Sequence, residues 1–223
     1  MLFKKKHITS EVSTPEEAIE YTLLDPRATE KDIKDCCNIA IKNKYHWVCV
    51  NGYNVSTAVD YLSSRAVNDV AVVAVVGFPL GANTMQIKLA EARQAISDGA
   101  AEIDVVINIG AATAGDYDYV KDELSRIVRT CHGRVVKAII ETCYFDRDQI
   151  LQLCKACVRA KVDYIKTSTG FGTGGATPEI VSCIAGAVAG RCGIKASGGV
   201  RNKAQAEDLI RAGATRIGTS SEI

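Results

Sequence analysis

"ACVRAKVDYIKTSTGFGTGGATPE" runs from Ala156 to Glu179. It reads as the end of a helix, a tight turn, a short apolar strand and then a run of glycine, serine and threonine. The strand carries a lysine, Lys166, which is poor filling for a buried strand. The same helix–turn–strand junction recurs as "AISDGAAEIDVV" (95–106) and "DLIRAGATRIGTS" (208–220). A junction that repeats at the interval of a strand, a loop, a helix and a loop points to alternating βα units.

Working outward, short apolar runs read as strands at 46–50, 70–77, 102–108, 135–141, 163–168, 193–197 and 216–220, with a weaker one at 21–24. Near-continuous apolar character suits parallel strands covered on both faces. Helix starts lie between them. Thr14-Pro15-Glu16-Glu17 supplies a cap, a proline at the first position and an acid at the third. Thr29 with Asp32 precedes Ile33, Cys36, Cys37, Ala40 and Ile41 at helical spacing. Asn83 or Thr84, Thr177-Pro178 and Asn202 open further helices that run to about 97, 189 and 211.

Eight strands alternating with helices in 223 residues predict one (β/α)8 barrel over residues 1–223, with an N-terminal helix and a truncated eighth helix. The residues past the eighth strand are too few for a full helix. An open doubly wound sheet is the alternative.

Composition narrows the classes. The residues are 47% apolar and 24% charged, ordinary for a soluble domain, and the net charge is +1, which favours neither nucleic acid nor an anionic membrane. Lys4-Lys5-Lys6 reads as a solvated terminus and is followed by no apolar signal core. No run approaches the roughly 20 apolar residues of a membrane span. The nine cysteines lie mostly in apolar segments, which predicts free thiols and a cytoplasmic setting. Cys154 and Cys157 form a lone CxxC within a helix and are read as packing. His7, His46 and His132 do not cluster, so no metal site is expected.

The strands contain charges. With alternation set so that these face inward, Asp104, Val106 and Asn108 share a face. So do Lys137, Ile139 and Glu141, then Lys166 and Ser168, then Lys195 and Ser197. The outward set is Val105, Ile107, Val136, Ala138, Ile140, Ile165, Ile194 and Ala196, which suits packing under helices. One acid and three lysines thus converge on one barrel mouth.

Lys166 and Lys195 lie on neighbouring strands, ~4.8 Å apart. Like charge and burial are both expected to lower a lysine pKa. At an ordinary pKa of ~10.4 only about one lysine in 800 is neutral near pH 7.5. A neutral amine attacks carbonyls and forms a Schiff base. The competing reading is an inert buried ion network. Glycine and serine follow the late strands in "TSTGFGTGG", "ASGGV" and "GTSS", a pattern suited to an anion nest.

Taken together, "VVGFPLGANT" (75–84), "EIDVVINIGA" (102–111), "GDYDYV" (115–120), "VKAIIETCY" (136–144), "IKTSTGFGTGGATPE" (165–179), "GIKASGGVR" (193–201) and "AGATRIGTSS" (212–221) resemble the deoxyribose-phosphate aldolase family. The resemblance implies a class I aldolase on a (β/α)8 barrel, without metal or cofactor. Its reaction is cleavage of 2-deoxy-D-ribose 5-phosphate to D-glyceraldehyde 3-phosphate and acetaldehyde, a step of deoxyribonucleotide catabolism. By the same resemblance Lys166 is the Schiff-base lysine, Lys195 the lysine that perturbs it, and Asp104 the acid that moves protons through a water. Gly170, Gly198, Gly199, Ser220 and Ser221 match phosphate-contacting positions. The expected partners are a small phosphorylated sugar and further copies of the chain, with no nucleic acid and no membrane.

Three positions depart from the family pattern. Glu20 stands where the early motif begins with aspartate, Gly52 where proline is frequent, and Gln86 where an acid is common. These are expected to bear on the lower rim and the sugar contacts and to leave the lysine chemistry alone. Two other readings remain: a different Schiff-base phosphosugar aldolase, and a non-catalytic phosphosugar-binding barrel.

Overall fold

The computed structural model describes residues 14–223; Lys4-Lys5-Lys6 and His7 lie outside them. The strands are β1 (Ile19–Leu23), β2 (Trp47–Val50), β3 (Ala71–Val76), β4 (Glu102–Val106), β5 (Val135–Ile139), β6 (Tyr164–Lys166), β7 (Gly193–Ser197) and β8 (Arg216–Thr219). They close into a parallel barrel in sequence order, and β8 returns to β1 through Ile19↔Ile217, Glu20↔Gly218 and Tyr21↔Thr219. The closed ring excludes the open sheet.

The helices are α1 (Pro15–Ala18), α2 (Glu30–Lys42), α3 (Val55–Ser64), α4 (Met85–Ser97), α5 (Ile109–Thr113), α6 (Tyr117–Thr130), α7 (Arg147–Ala160), α8 (Pro178–Val188) and α9 (Lys203–Arg211). Their starts follow the capping chemistry of the sequence. In α2 the Thr29 hydroxyl accepts from the Asp32 amide and the Asp32 carboxylate accepts from the Thr29 amide. Its buried stripe is Ile33, Cys36, Cys37 and Ala40. Cys154 and Cys157 lie buried on α7, and all nine cysteines are free thiols.

The outward faces of the strands build the main core. Val48, Val72, Ile103, Val136, Ile165, Ile194 and Ile217 meet the helices there, in the phase that alternation predicts. No helix among the described residues is long and apolar enough to cross a membrane.

Three expectations need correction. The first strand begins at Ile19, not at 21, because α1 is a single turn that leads straight into it. Several strands end one or two residues early, because the backbone turns where the site begins. Asn108 leaves β4 to cap α5, accepting from the Ala111 amide, and Glu141 leaves β5 in the left-handed region at φ 47°. Finally, no described residue after Thr219 is helical. The segment 220–223 is instead fastened to the turn between α2 and β2. Asn43 Nδ2 and Lys42 Nζ reach Glu222, and the buried Tyr45 hydroxyl exchanges hydrogen bonds with the Ile223 backbone.

Candidate active site

The interior of the barrel is divided. On the β2–β3 side it is lined by Leu24, Cys49, Val73 and Val75, with Trp47 and Phe78 packed against them. On the other side stand Glu20, Glu102, Asp104, Lys137, Lys166, Lys195 and Arg216, all buried. The register places them in layers: Asp104 lies opposite Lys137, Lys166 opposite Lys195, and Lys195 opposite Arg216.

Asp104 is the hub. Its Oδ1 accepts from Lys137 Nζ at 2.8 Å, and its Oδ2 accepts from Lys166 Nζ at 2.9 Å and Lys195 Nζ at 2.6 Å. Glu20 accepts from Lys195 through Oε1, and its Oε2 lies 3.3 Å from Lys137 Nζ. Glu102 Oε2 lies 2.6 Å from Lys137 Nζ. Below them Arg216 Nη1 donates to Glu20 at 3.2 Å and Glu102 at 3.1 Å, while its guanidinium lies 3.3 Å over the centre of the Trp47 ring.

The lysines differ in how well they are compensated. Lys137 meets three carboxylates (Glu20, Glu102, Asp104), Lys195 two (Glu20, Asp104) and Lys166 one (Asp104). Of the three, only Lys166 keeps any exposure, 2% against zero. Fully charged, the cluster sets four cations against three carboxylates. Loss of one proton balances it, and Lys166 is the base with the least to lose.

The lysine pKa expectation needs correction. Burial works against the charged form of Lys166, but the Asp104 carboxylate, with Cys49 and Glu20 behind it, outweighs burial and holds the pKa above the ordinary lysine value. The repulsion foreseen from Lys195 is muted because Lys195 is itself paired to Glu20 and Asp104. Burial likewise opposes the charge on Asp104, and Lys137, Lys166 and Lys195 overcome it to hold the carboxyl well below its usual range. Glu20 behaves the same way under Lys137 and Lys195, at about 2.

At the mouth, Gly170, Gly198 and Gly199 all have positive φ (85°, 89° and 80°). The loops after β6 and β7 touch backbone to backbone. A Cβ on Gly175 would lie 2.1 Å from the Gly198 carbonyl, and the Ala176 amide donates to the carbonyls of Ser197 and Gly198. The Ser168 hydroxyl, buried next to Gly198, has no hydrogen-bond partner among the described residues. Glu141 holds the β6 loop from the other side: its Oε2 accepts from the Thr169 hydroxyl and, at 3.2 Å, from the Thr169 amide. A left-handed residue without the freedom of glycine marks a place where backbone strain is retained. Gly199 and Ser220 are exposed, and Ser221 is half-buried.

Asp104, Lys166 and Lys195 are therefore brought together as expected, and Gly170, Gly198, Gly199, Ser220 and Ser221 follow β6, β7 and β8 at the same end. The sequence reading missed Glu20, Glu102 and Arg216. The alternation that set Asp104 inward sets Glu102, two residues earlier, inward as well. Arg216 stands two residues before Gly218, where a Cβ would meet the Lys195 side chain, and so faces inward in the same way. The departure at Glu20 does not lie at the rim: it touches Lys195 and Lys137 in the centre. Gly52 and Gln86, by contrast, are exposed.

Comparison with known proteins places this architecture. A deoxyribose-phosphate aldolase of Thermococcus gammatolerans is 49% identical over 207 residues, covering 92% of each chain. One from Thermotoga maritima is 45% identical over 221 residues, covering 99% of this chain and 88% of that protein. The structure of a deoxyribose phosphate aldolase from Aeropyrum pernix, described as a tetramer, superposes with a TM-score of 0.86 at 33% identity over 94% of this chain and 89% of that one. The profile of DeoC/LacD family aldolases matches residues 15–220, a span that takes in all eight strands and every residue of the ion network. The chain belongs to the DeoC/LacD family of aldolases.

Proposed function

We propose that this aldolase cleaves 2-deoxy-D-ribose 5-phosphate into D-glyceraldehyde 3-phosphate and acetaldehyde through an imine on Lys166. The observation that carries the reading is the unequal compensation of the three lysines: Lys166 alone has a single carboxylate partner and keeps a trace of exposure. The names of its relatives supply the substrate.

Lys166 releases its ammonium proton, and the free amine attacks the aldehyde carbon of the open-chain sugar. The proton returns to the carbinolamine oxygen, which leaves as water to give an iminium. A base then takes the proton of the hydroxyl on the third carbon. The bond between the second and third carbons breaks, and its electron pair moves into the iminium to leave an enamine. The three-carbon phosphate departs as an aldehyde. Protonation of the enamine and addition of water release acetaldehyde and restore the amine. Asp104, bonded to all three lysines, is the group from which a water can pass these protons. Lys195 and Lys137 keep it ionised, and the iminium takes over the positive charge that Lys166 held beside it. The opposite apolar wall keeps the local dielectric low, so each charge in the cluster counts for more.

The phosphate is held by Gly170, Gly198, Gly199, Ser220 and Ser221, with the Ser168 hydroxyl beside them. Hydrogen bonds to a charged group contribute about 1.5–3 kcal/mol each, so two or three favour the phosphorylated sugar by ~100-fold or more. The setting we propose is a homo-oligomer in a reducing cytoplasm, in keeping with nine free thiols and the tetrameric relative. The test compares kcat/KM for deoxyribose 5-phosphate and 2-deoxyribose in wild type and in Ser220→Ala/Ser221→Ala. Strong preference for the phosphate in wild type, reduced in the double variant, is the expected result. Equal use of both sugars by wild type would contradict the assignment.

A further inference from the structure

We propose that Thr219 is a positioning residue that sets the phosphate cradle from behind. It rests on the phosphate reading above and adds a residue that does not itself face the ligand. Thr219 closes β8, and alternation puts it on the outer side with Ile217, away from the barrel interior. It is buried, and its hydroxyl is used in both directions. Oγ1 donates to the Val200 carbonyl at 2.7 Å and accepts from the Ser221 amide at 3.0 Å.

Each bond ends in a different loop of the cradle. Val200 follows Gly198-Gly199 directly, and Ser221 is one of the two serines after β8. A hydroxyl has one proton, so the polarity of this bridge is fixed by the carbonyl on one side and the amide on the other. The consequence is electrostatic as well as mechanical. The Val200 carbonyl oxygen, which would repel an anion, is held by a donor on the outer side. The two left-handed glycines before it have no side chains to fix their turn, so the bond at Val200 supplies a restraint that they lack. One side chain thereby couples the loops after β7 and β8, much as the backbone bonds from Ala176 couple those after β6 and β7.

Thr219→Val keeps the branched shape and removes both bonds. It leaves a carbonyl and an amide unpaired, and the loss is expected to raise KM for deoxyribose 5-phosphate about tenfold or more. Inhibition by inorganic phosphate should weaken in parallel. Turnover of 2-deoxyribose and the yield of borohydride-trapped imine should stay at the wild-type level. Thr219→Ser, which restores the hydroxyl, should recover most of the phosphate preference. If Thr219→Val does not accumulate as folded protein, Thr219→Ala set against Thr219→Ser carries the same comparison. Equal losses on both sugars, or wild-type phosphate inhibition in Thr219→Val, would overturn the positioning role. So would a serine variant as impaired as the valine. A wild type with no preference for the phosphorylated sugar would instead overturn the phosphate reading, and this inference with it.

Discussion

The two walls of the barrel interior are built from the same kind of strand and do opposite things. The wall from β2 and β3 is Cys49, Val73 and Val75, closed by Leu24, Trp47 and Phe78. The wall from β4 round to β1 carries Glu102, Asp104, Lys137, Lys166, Lys195, Arg216 and Glu20. Outside the barrel the two are alike: Val48 and Val72 face helices just as Val136 and Ile194 do. The helical shell therefore does not account for the difference. Seven buried ionisable groups are a liability for folding, since each costs several kcal/mol of desolvation before pairing offsets it. A fold that could have completed the apolar wall keeps them, and the function proposed above gives their arrangement its use. The apolar wall contributes by keeping water away and strengthening each pair opposite it.

Substitutions on the two walls should then fall into different classes. Asp104→Asn keeps the shape of the hub and removes its charge, and turnover should drop by about 100- to 10,000-fold. Steady-state kinetics with an imine-trapping control separates lost proton transfer from lost imine. Near-full turnover would make Asp104 structural.

A pair of variants with opposite signs sharpens the charged wall further. Removing a cation by Lys195→Leu leaves Asp104 and Glu20 more negative towards Lys166, so the Lys166 pKa rises and imine trapping needs higher pH. Removing an anion by Glu20→Gln frees the charge of Lys195 to act on Lys166, so its pKa falls and trapping proceeds at lower pH. Both shifts start from a resting value already held above that of an ordinary lysine. The pH dependence of the trapping rate reads them, and shifts of the same sign in both variants would contradict the network.

The apolar wall should answer differently. Val75→Ala, opposite Asp104 in the register, is expected to lower stability by about 1–3 kcal/mol. The pH midpoint of trapping should stay where it is in wild type. Denaturant unfolding and the same trapping profile give the two readouts, and a moved midpoint would show that the walls are not separable in this way.

Much of this division was legible in the sequence. A lysine or aspartate inside an apolar strand conflicts with its surroundings, and alternation then decides which way it points, as it did for Asp104, Lys137, Lys166 and Lys195. Glu102 and Arg216 stood at the starts of their strands, where a charge raises no conflict with solvent, and so drew no attention. Glu20 lay just before the weakest strand as read, 21–24, and its importance depends on closure of β8 against β1, a contact between strands far apart in sequence. Which charges neutralise which is a property of the closed barrel and not of any one strand. The expected lowering of the Lys166 pKa failed for that reason: the pairwise repulsion was legible, and the pairing of Lys166 and Lys195 with Asp104 and Glu20 that absorbs it was not.

The central claim is that the least compensated lysine is the one that bonds to substrate. Incubation with acetaldehyde, reduction with borohydride and peptide mass spectrometry test it directly. The account predicts an ethyl group on Lys166, absent in Lys166→Met, with Lys137 and Lys195 unmodified. A label carried mainly by Lys137 or Lys195 would contradict it.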